Sequence, residues 1–113
     1  MKLPAGETAY VPREKITKYL LSLTHPVGQA KAVFFRDIGY NESNIESLEE
    51  GLLYIARNDE IVKIEKNSYG VKYILEGSIT SPLNIITNIR TVWITEIDRS
   101  RPRFITAYPA ENG

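Results

Sequence analysis

The chain has no cysteine, one histidine, one tryptophan and no net charge, with 14 lysines and arginines against 14 aspartates and glutamates. Without cysteine there are no disulfides, thiolate nucleophiles or thiolate metal sites. A single histidine leaves no imidazole set for a zinc centre. The balanced charge argues against indiscriminate nucleic-acid binding, which depends on neutralising many phosphates. Apolar runs are short: Ala32–Phe35 is far below the roughly 20 residues that span a bilayer. MKLPAGETAY has no signal-type apolar stretch. A cytoplasmic protein without a membrane partner is expected. No P-loop, dinucleotide glycine pattern or paired metal ligands occur, so no cofactor and no metal is expected.

What is present fits one domain over residues 1–113, a length that buries about 60–70% of the unfolded surface. The charge is unevenly placed. Residues 1–40 carry six basic and three acidic side chains, whereas 41–66 carry three basic and seven acidic. Residues 87–113 carry four arginines against three acids. A locally basic groove is compatible with that distribution.

Leu3 to Val11 has no period and predicts an extended lead-in. Pro12 suits a helix start, and the helix should run from Arg13 to Leu21, with Ile16, Tyr19, Leu20 and Leu23 as its buried stripe. THPVG breaks it, since Pro26 disfavours helix at the residue before it. A second helix is predicted from Gln29 to Ile38, stopped by Gly39. A third begins after Asn44, a good N-cap, and ends at Asn58–Asp59. From Glu60 the period becomes two. The predicted hairpin turns at Asn67–Gly70 and pairs Lys66 with Val71, Glu65 with Lys72, Ile64 with Tyr73 and Val62 with Leu75. SITSPLNIITN reads as an irregular link. Two more strands follow, Ile89–Ile97 and Arg103–Tyr108, turning at DRSR and ended by Pro109. Three helices followed by a four-stranded antiparallel meander is an α+β pattern.

The junction LTHPVGQAKAVFF, residues 23–35, holds the one histidine. On a helical wheel Phe34, Phe35 and Ile38 lie within about 60° of Lys31, which puts this lysine near the centre of an apolar stripe. It also lies in the helix's first turn, where a cation opposes the macrodipole. A lysine held there fits a cleft or an anion. Free N–H groups behind Gly28 would suit a phosphate, with His25 in reach for proton transfer near neutral pH. The plain alternatives are that His25 caps a helix and that Lys31 snorkels along Phe35 to solvent.

RTVWITEI and RFITAYP are rich in groups that touch nucleic acid. If Asp98 pairs with Arg101, Trp93 faces Thr106, Thr91 faces Tyr108 and Thr95 faces Phe104. That side could stack unpaired bases, while Val92, Ile94, Ile105 and Ala107 would face the helices. A one-residue shift would place Arg90 beside Tyr108. The alternative is that Trp93 and Tyr108 are ordinary sheet residues, which strands favour in any case.

AYVPREKITKYLL, THPVGQAKAVFF, RTVWITE and RFITAYP resemble blocks of a small bacterial family found alone or at the C-terminus of polymorphic-toxin and phage-related proteins. The resemblance covers Leu3 to Pro109. The order of elements also looks like the barnase–EndoU–colicin–RelE ribonuclease superfamily, metal-independent RNases in which the 2′-hydroxyl attacks the adjacent phosphate. That resemblance implies His25 as general acid or base, Lys31 and Arg90 as stabilisers of the phosphorane charge, and Thr106 and Tyr108 as residues that position the substrate; the stacking and helix-start readings above add Trp93 and Gly28 as substrate-binding residues. Barnase uses a strand glutamate as base, and Glu96 is the candidate here. A toxin-type endoribonuclease acting on RNA and silenced by a cognate antitoxin-like protein is thus one expectation. The others are a non-catalytic antitoxin or immunity-like module, whose acidic third helix (Glu42, Glu46, Glu49, Glu50, Asp59, Glu60) would dock a basic partner, and a phage-structural domain.

Overall fold

A computed structural model describes residues 1–110. The elements run as a 3₁₀ turn (Gly6–Thr8), α1 (Arg13–Lys15) continuing as a π-helical segment (Ile16–Leu20), α2 (Gln29–Asp37), α3 (Ile45–Asn58), β1 (Ile61–Asn67), β2 (Gly70–Thr80), β3 (Ile86–Glu96) and β4 (Arg103–Pro109). The strands form one antiparallel sheet in the order β1-β2-β3-β4. The helical and N-terminal part comes first and the meander follows, so the expected α+β order holds.

The first helix departs from the expected α-helix over Arg13–Leu21. The Leu21 N–H reaches back five residues to the Ile16 carbonyl at 2.9 Å, a π turn. The wider turn places Leu21, not Leu23, beneath Ile16. Leu21 is fully buried and Leu23 is 48% exposed. Such turns are rare and cluster at functional sites. This one carries Tyr19.

α2 ends as its sequence predicts. Gly39 has φ 109°, and the Tyr40 N–H bonds the Phe35 carbonyl at 3.1 Å while the Gly39 N–H bonds that of Arg36 at 3.0 Å. With Tyr40 packed edge-on to Phe35, this is a Schellman cap. A Cβ at Gly39 would also meet Leu83 Cγ at 2.8 Å. Gly39→Ala is therefore expected to lower stability by about 1–2 kcal/mol, read from the urea midpoint. Asn44 precedes α3 as expected, but its side chain works backwards. Its Oδ1 accepts from the Asn41 N–H and its Nδ2 donates to the Gly39 carbonyl, tying α3 to the end of α2.

The β1–β2 hairpin has the expected pairs Lys66–Val71, Glu65–Lys72 and Ile64–Tyr73. Beyond them a bulge at Val62 pairs Ile61 with Leu75, so Val62 does not face Leu75. The expected irregular link is mostly strand: β2 and β3 each run 11 residues and are joined by a tight turn. Buried Ser81 organises that turn, its Oγ accepting from the Leu83 and Ile85 N–H groups, and Asn84 takes a left-handed φ of 61°.

The β3–β4 register corrects the expected face. Trp93 pairs with Phe104, not Thr106, and a bulge at Ile105 then sets Thr106 opposite Val92, Ala107 opposite Thr91 and Tyr108 opposite Arg90. Trp93 is fully buried, its Nε1–H donating to Thr91 Oγ1 at 2.8 Å and its ring edge-on to Phe104 at 5.3 Å. Ile89, Trp93, Phe104 and Ala107 join Leu75, Ile79, Leu48, Leu52, Ile55 and Phe35 in one core. The indole outweighs the β-branched residues in apolar area, so its face turns inward. Val92 and Ile94, also buried, lie on the other face and outside that cluster.

Candidate functional site

Tyr19 is the centre of the candidate site. The π turn and β4 bring it to Thr106, with the two hydroxyls 2.9 Å apart. Lys15, one turn earlier, places Nζ 5.0 Å from the Tyr19 ring centroid. Lys31, in the first turn of α2, places Nζ 5.5 Å from the same centroid. His25 stands edge-on to the ring at 5.0 Å. All five side chains are partly buried.

Two contacts hold the parts in place. Arg36 in α2 donates Nε–H and Nη2–H to the Leu21 carbonyl at 2.8 and 2.6 Å, clamping the end of the π segment to α2. The same guanidinium pairs with Glu42, and its hydrogen bond holds the Glu42 carboxyl below the usual carboxylate range. That pairing therefore contributes above the ordinary carboxylate pKa and fades as pH falls through the lowered value. The second contact is at Gly28. A Cβ there would lie 2.7 Å from the Tyr19 carbonyl oxygen and 3.0 Å from its ring. Gly28→Ala is expected to cost about 1–3 kcal/mol by forcing the segments apart, seen as a lower melting temperature with a shifted Tyr19 ring resonance.

Opposing influences act on the Tyr19 phenol. Burial raises its pKa, but the hydrogen bond with Thr106 and the ammonium groups of Lys31 and Lys15 outweigh it, so the group ionises below the ordinary phenol value.

At the junction, three backbone amides are already engaged. The Val27 and Gly28 N–H groups donate to His25 Nδ1 at 3.1 and 3.0 Å, and the Gln29 N–H donates to the His25 carbonyl. His25 closes the turn that leads into α2, and the Gly28 amide is not free for a phosphate. With Nδ1 accepting, the neutral ring carries its proton on Nε2, which leaves a donor on the other edge. Proton shuttling would first require these bonds to break.

The other expected residues separate into two groups. Thr106 is in the cluster. Tyr108 lies two residues further along β4, opposite Arg90, whose Nε–H donates to Glu76 Oε1 at 3.1 Å. Arg90 is thus tied across β3–β2 and not joined to Lys31. Trp93 is buried and cannot stack on a base. Glu96 sits at the turn end of β3, paired with Arg103, four residues from the Val92 that faces Thr106. Lys15 and Tyr19 were not singled out as site residues in sequence. Their signals were an i, i+4 spacing and a phenol on a buried stripe that needs a polar partner. Among the described residues no three His, Asp or Glu side chains group as metal ligands, and no helix is long and apolar enough to cross a membrane.

The fold and cluster define an α+β protein whose helices share one core with a four-stranded antiparallel meander, and whose edge strand and first two helices frame a basic, hydroxyl-bearing site. The chain belongs to the family described as domain of unknown function DUF6883, whose model matches residues 2–111. No curated protein matches it significantly in sequence. Among solved structures it is similar to a chain of a contact-dependent growth inhibition toxin–immunity protein complex from Klebsiella pneumoniae 342, at 19% identity and a TM-score of 0.74, covering 95% of this chain and 97% of that one.

Proposed function

We propose that the chain is a toxin-type endoribonuclease module that cleaves RNA without a metal, through attack of a 2′-hydroxyl on the neighbouring phosphate. The observation that carries this is the convergence of Lys15 and Lys31 on the Tyr19 ring, beside Thr106 and His25. Two ammonium groups held by separate elements form a preorganised site for a phosphodiester whose charge grows in the transition state. His25 offers Nε2–H as a further donor, and Tyr108 and Arg90 extend the surface along the sheet. The fold shared with a chain of a toxin–immunity complex supports the setting, and a cognate protein that silences the activity is part of the reading.

A second reading, an immunity-like module, is favoured by the exposed acids Glu46 and Glu50 on α3 beside exposed Tyr54. One experiment separates the two. Purified protein is incubated with total RNA and excess chelator, and the chain is separately expressed in a bacterial host. Cleavage and growth arrest are expected. Intact RNA with harmless expression favours the immunity-like reading and rejects the nuclease.

A further inference from the structure

We infer that Tyr19 is the general base of the cleavage reaction, taking the proton from the attacking 2′-hydroxyl. This rests on the ribonuclease reading and supplies the group it lacks. The glutamate expected from the superfamily resemblance, Glu96, is paired with Arg103 at the far end of β3. His25 has its Nδ1 committed to two backbone N–H groups, so its outward nitrogen already bears a proton and cannot accept another. Tyr19 is the remaining proton acceptor of the cluster.

The groups that face its phenol come from each neighbouring element. Lys15 lies on its own helix, Lys31 on α2, His25 on the approach to α2, and β4 contributes the Thr106 hydroxyl. α3 meets this segment within the apolar core, where Ile16 and Leu20 join Leu48 and Leu52. Both formal charges at the ring are therefore cationic, and both favour phenolate. The lowered phenol pKa agrees with that arrangement. Each such neighbour raises the fraction of phenolate present at a given pH.

The step balances without a co-reactant. The phenolate takes the 2′-hydroxyl proton as the O2′–P bond forms, and the P–O5′ bond breaks. The departing 5′-oxygen takes a proton from the Lys31 ammonium. Tyr19 gains one proton and Lys31 loses one, and exchange with water restores both. The products are a 2′,3′-cyclic phosphate and a 5′-hydroxyl.

The test is the pH–rate profile of cleavage of an RNA oligonucleotide in chelator by the wild type, Tyr19→Phe and Thr106→Val, each checked for folding by its thermal transition. The wild-type rate is expected to rise with pH and level off below the ordinary phenol range. Tyr19→Phe should lose about 10²–10⁴-fold together with that rising limb. Thr106→Val removes one stabiliser of the phenolate and should move the limb to higher pH without abolishing it. If Tyr19→Phe fails to fold, the Thr106→Val shift decides alone. A wild type that cleaves while Tyr19→Phe keeps its rate and limb, or a limb that Thr106→Val leaves in place, overturns this assignment and spares the ribonuclease reading. A folded wild type that leaves RNA intact overturns both.

Discussion

Replacing Trp93 by alanine is expected to lower stability by about 3–5 kcal/mol, the usual range for removing a buried aromatic. A domain of this size has a total of about 5–15 kcal/mol, so the loss takes from about a fifth of the stability to nearly all of it. The cause is specific to the register. Trp93 is fully buried, packs edge-on against Phe104 and donates to Thr91. Its loss opens a cavity and leaves the buried Thr91 hydroxyl without that donor. Urea denaturation reads the effect. Had Trp93 been a stacking platform on the open face, the same substitution would weaken RNA binding and leave the midpoint in place.

The opposite pattern is expected at the cluster. Lys31→Ala should reduce RNA cleavage by about 10²–10³-fold, the usual loss when one preorganised stabiliser of transition-state charge is removed. Lys15→Ala should act in the same direction, and the double variant should lose less than the sum, because both ammonium groups serve one phosphate. Stability should not fall with activity. Lys31 lies in the first turn of a helix, where a cation costs about 0.3–1 kcal/mol, and its removal also gives up a contact with the Tyr19 ring worth about 0.5–1 kcal/mol, so the thermal midpoint should move little. Parallel measurement of initial rates and thermal midpoints separates this outcome from mere unfolding.

Where local chemistry decides a feature, the sequence was readable. Gly39 stops α2 because a left-handed position follows, and Asn67–Gly70 with the Glu65–Lys72 pair sets one hairpin register. The order of helices then strands followed from the change in period. Three features were hidden because tertiary contacts set them. The π turn moves the buried position from Leu23 to Leu21. The bulges at Val62 and Ile105 each add a residue to one strand, and a single extra residue exchanges which side chains face the core. Alternation along β3 showed two faces but could not say which was inside, since Val92 and Ile94 look as apolar as their neighbours.

The candidate site was half legible. Lys31 stood out because it breaks an apolar stripe, and His25 because it is alone. Their roles depended on partners far along the chain. Thr106 lies 87 residues from Tyr19, and no local pattern connects them. The pair of Nδ1 bonds that ties His25 to Val27 and Gly28 is local, yet a turn-closing histidine and a reactive one look alike in sequence. Arg90 is a candidate phosphate ligand by its residue type, and its pairing with Glu76 follows from the β2–β3 register.

The most direct measurement is the chemistry of the ends produced from a single-stranded RNA in chelator. The Tyr19–Lys15–Lys31 cluster as an RNA-cleaving site predicts 2′,3′-cyclic phosphate and 5′-hydroxyl termini, no cut where the 2′-hydroxyl is replaced by hydrogen, and both products formed about 10²–10³-fold more slowly by Lys31→Ala. RNA that stays intact, ends of any other kind, or undiminished cutting by the Lys15→Ala/Lys31→Ala double variant would contradict it.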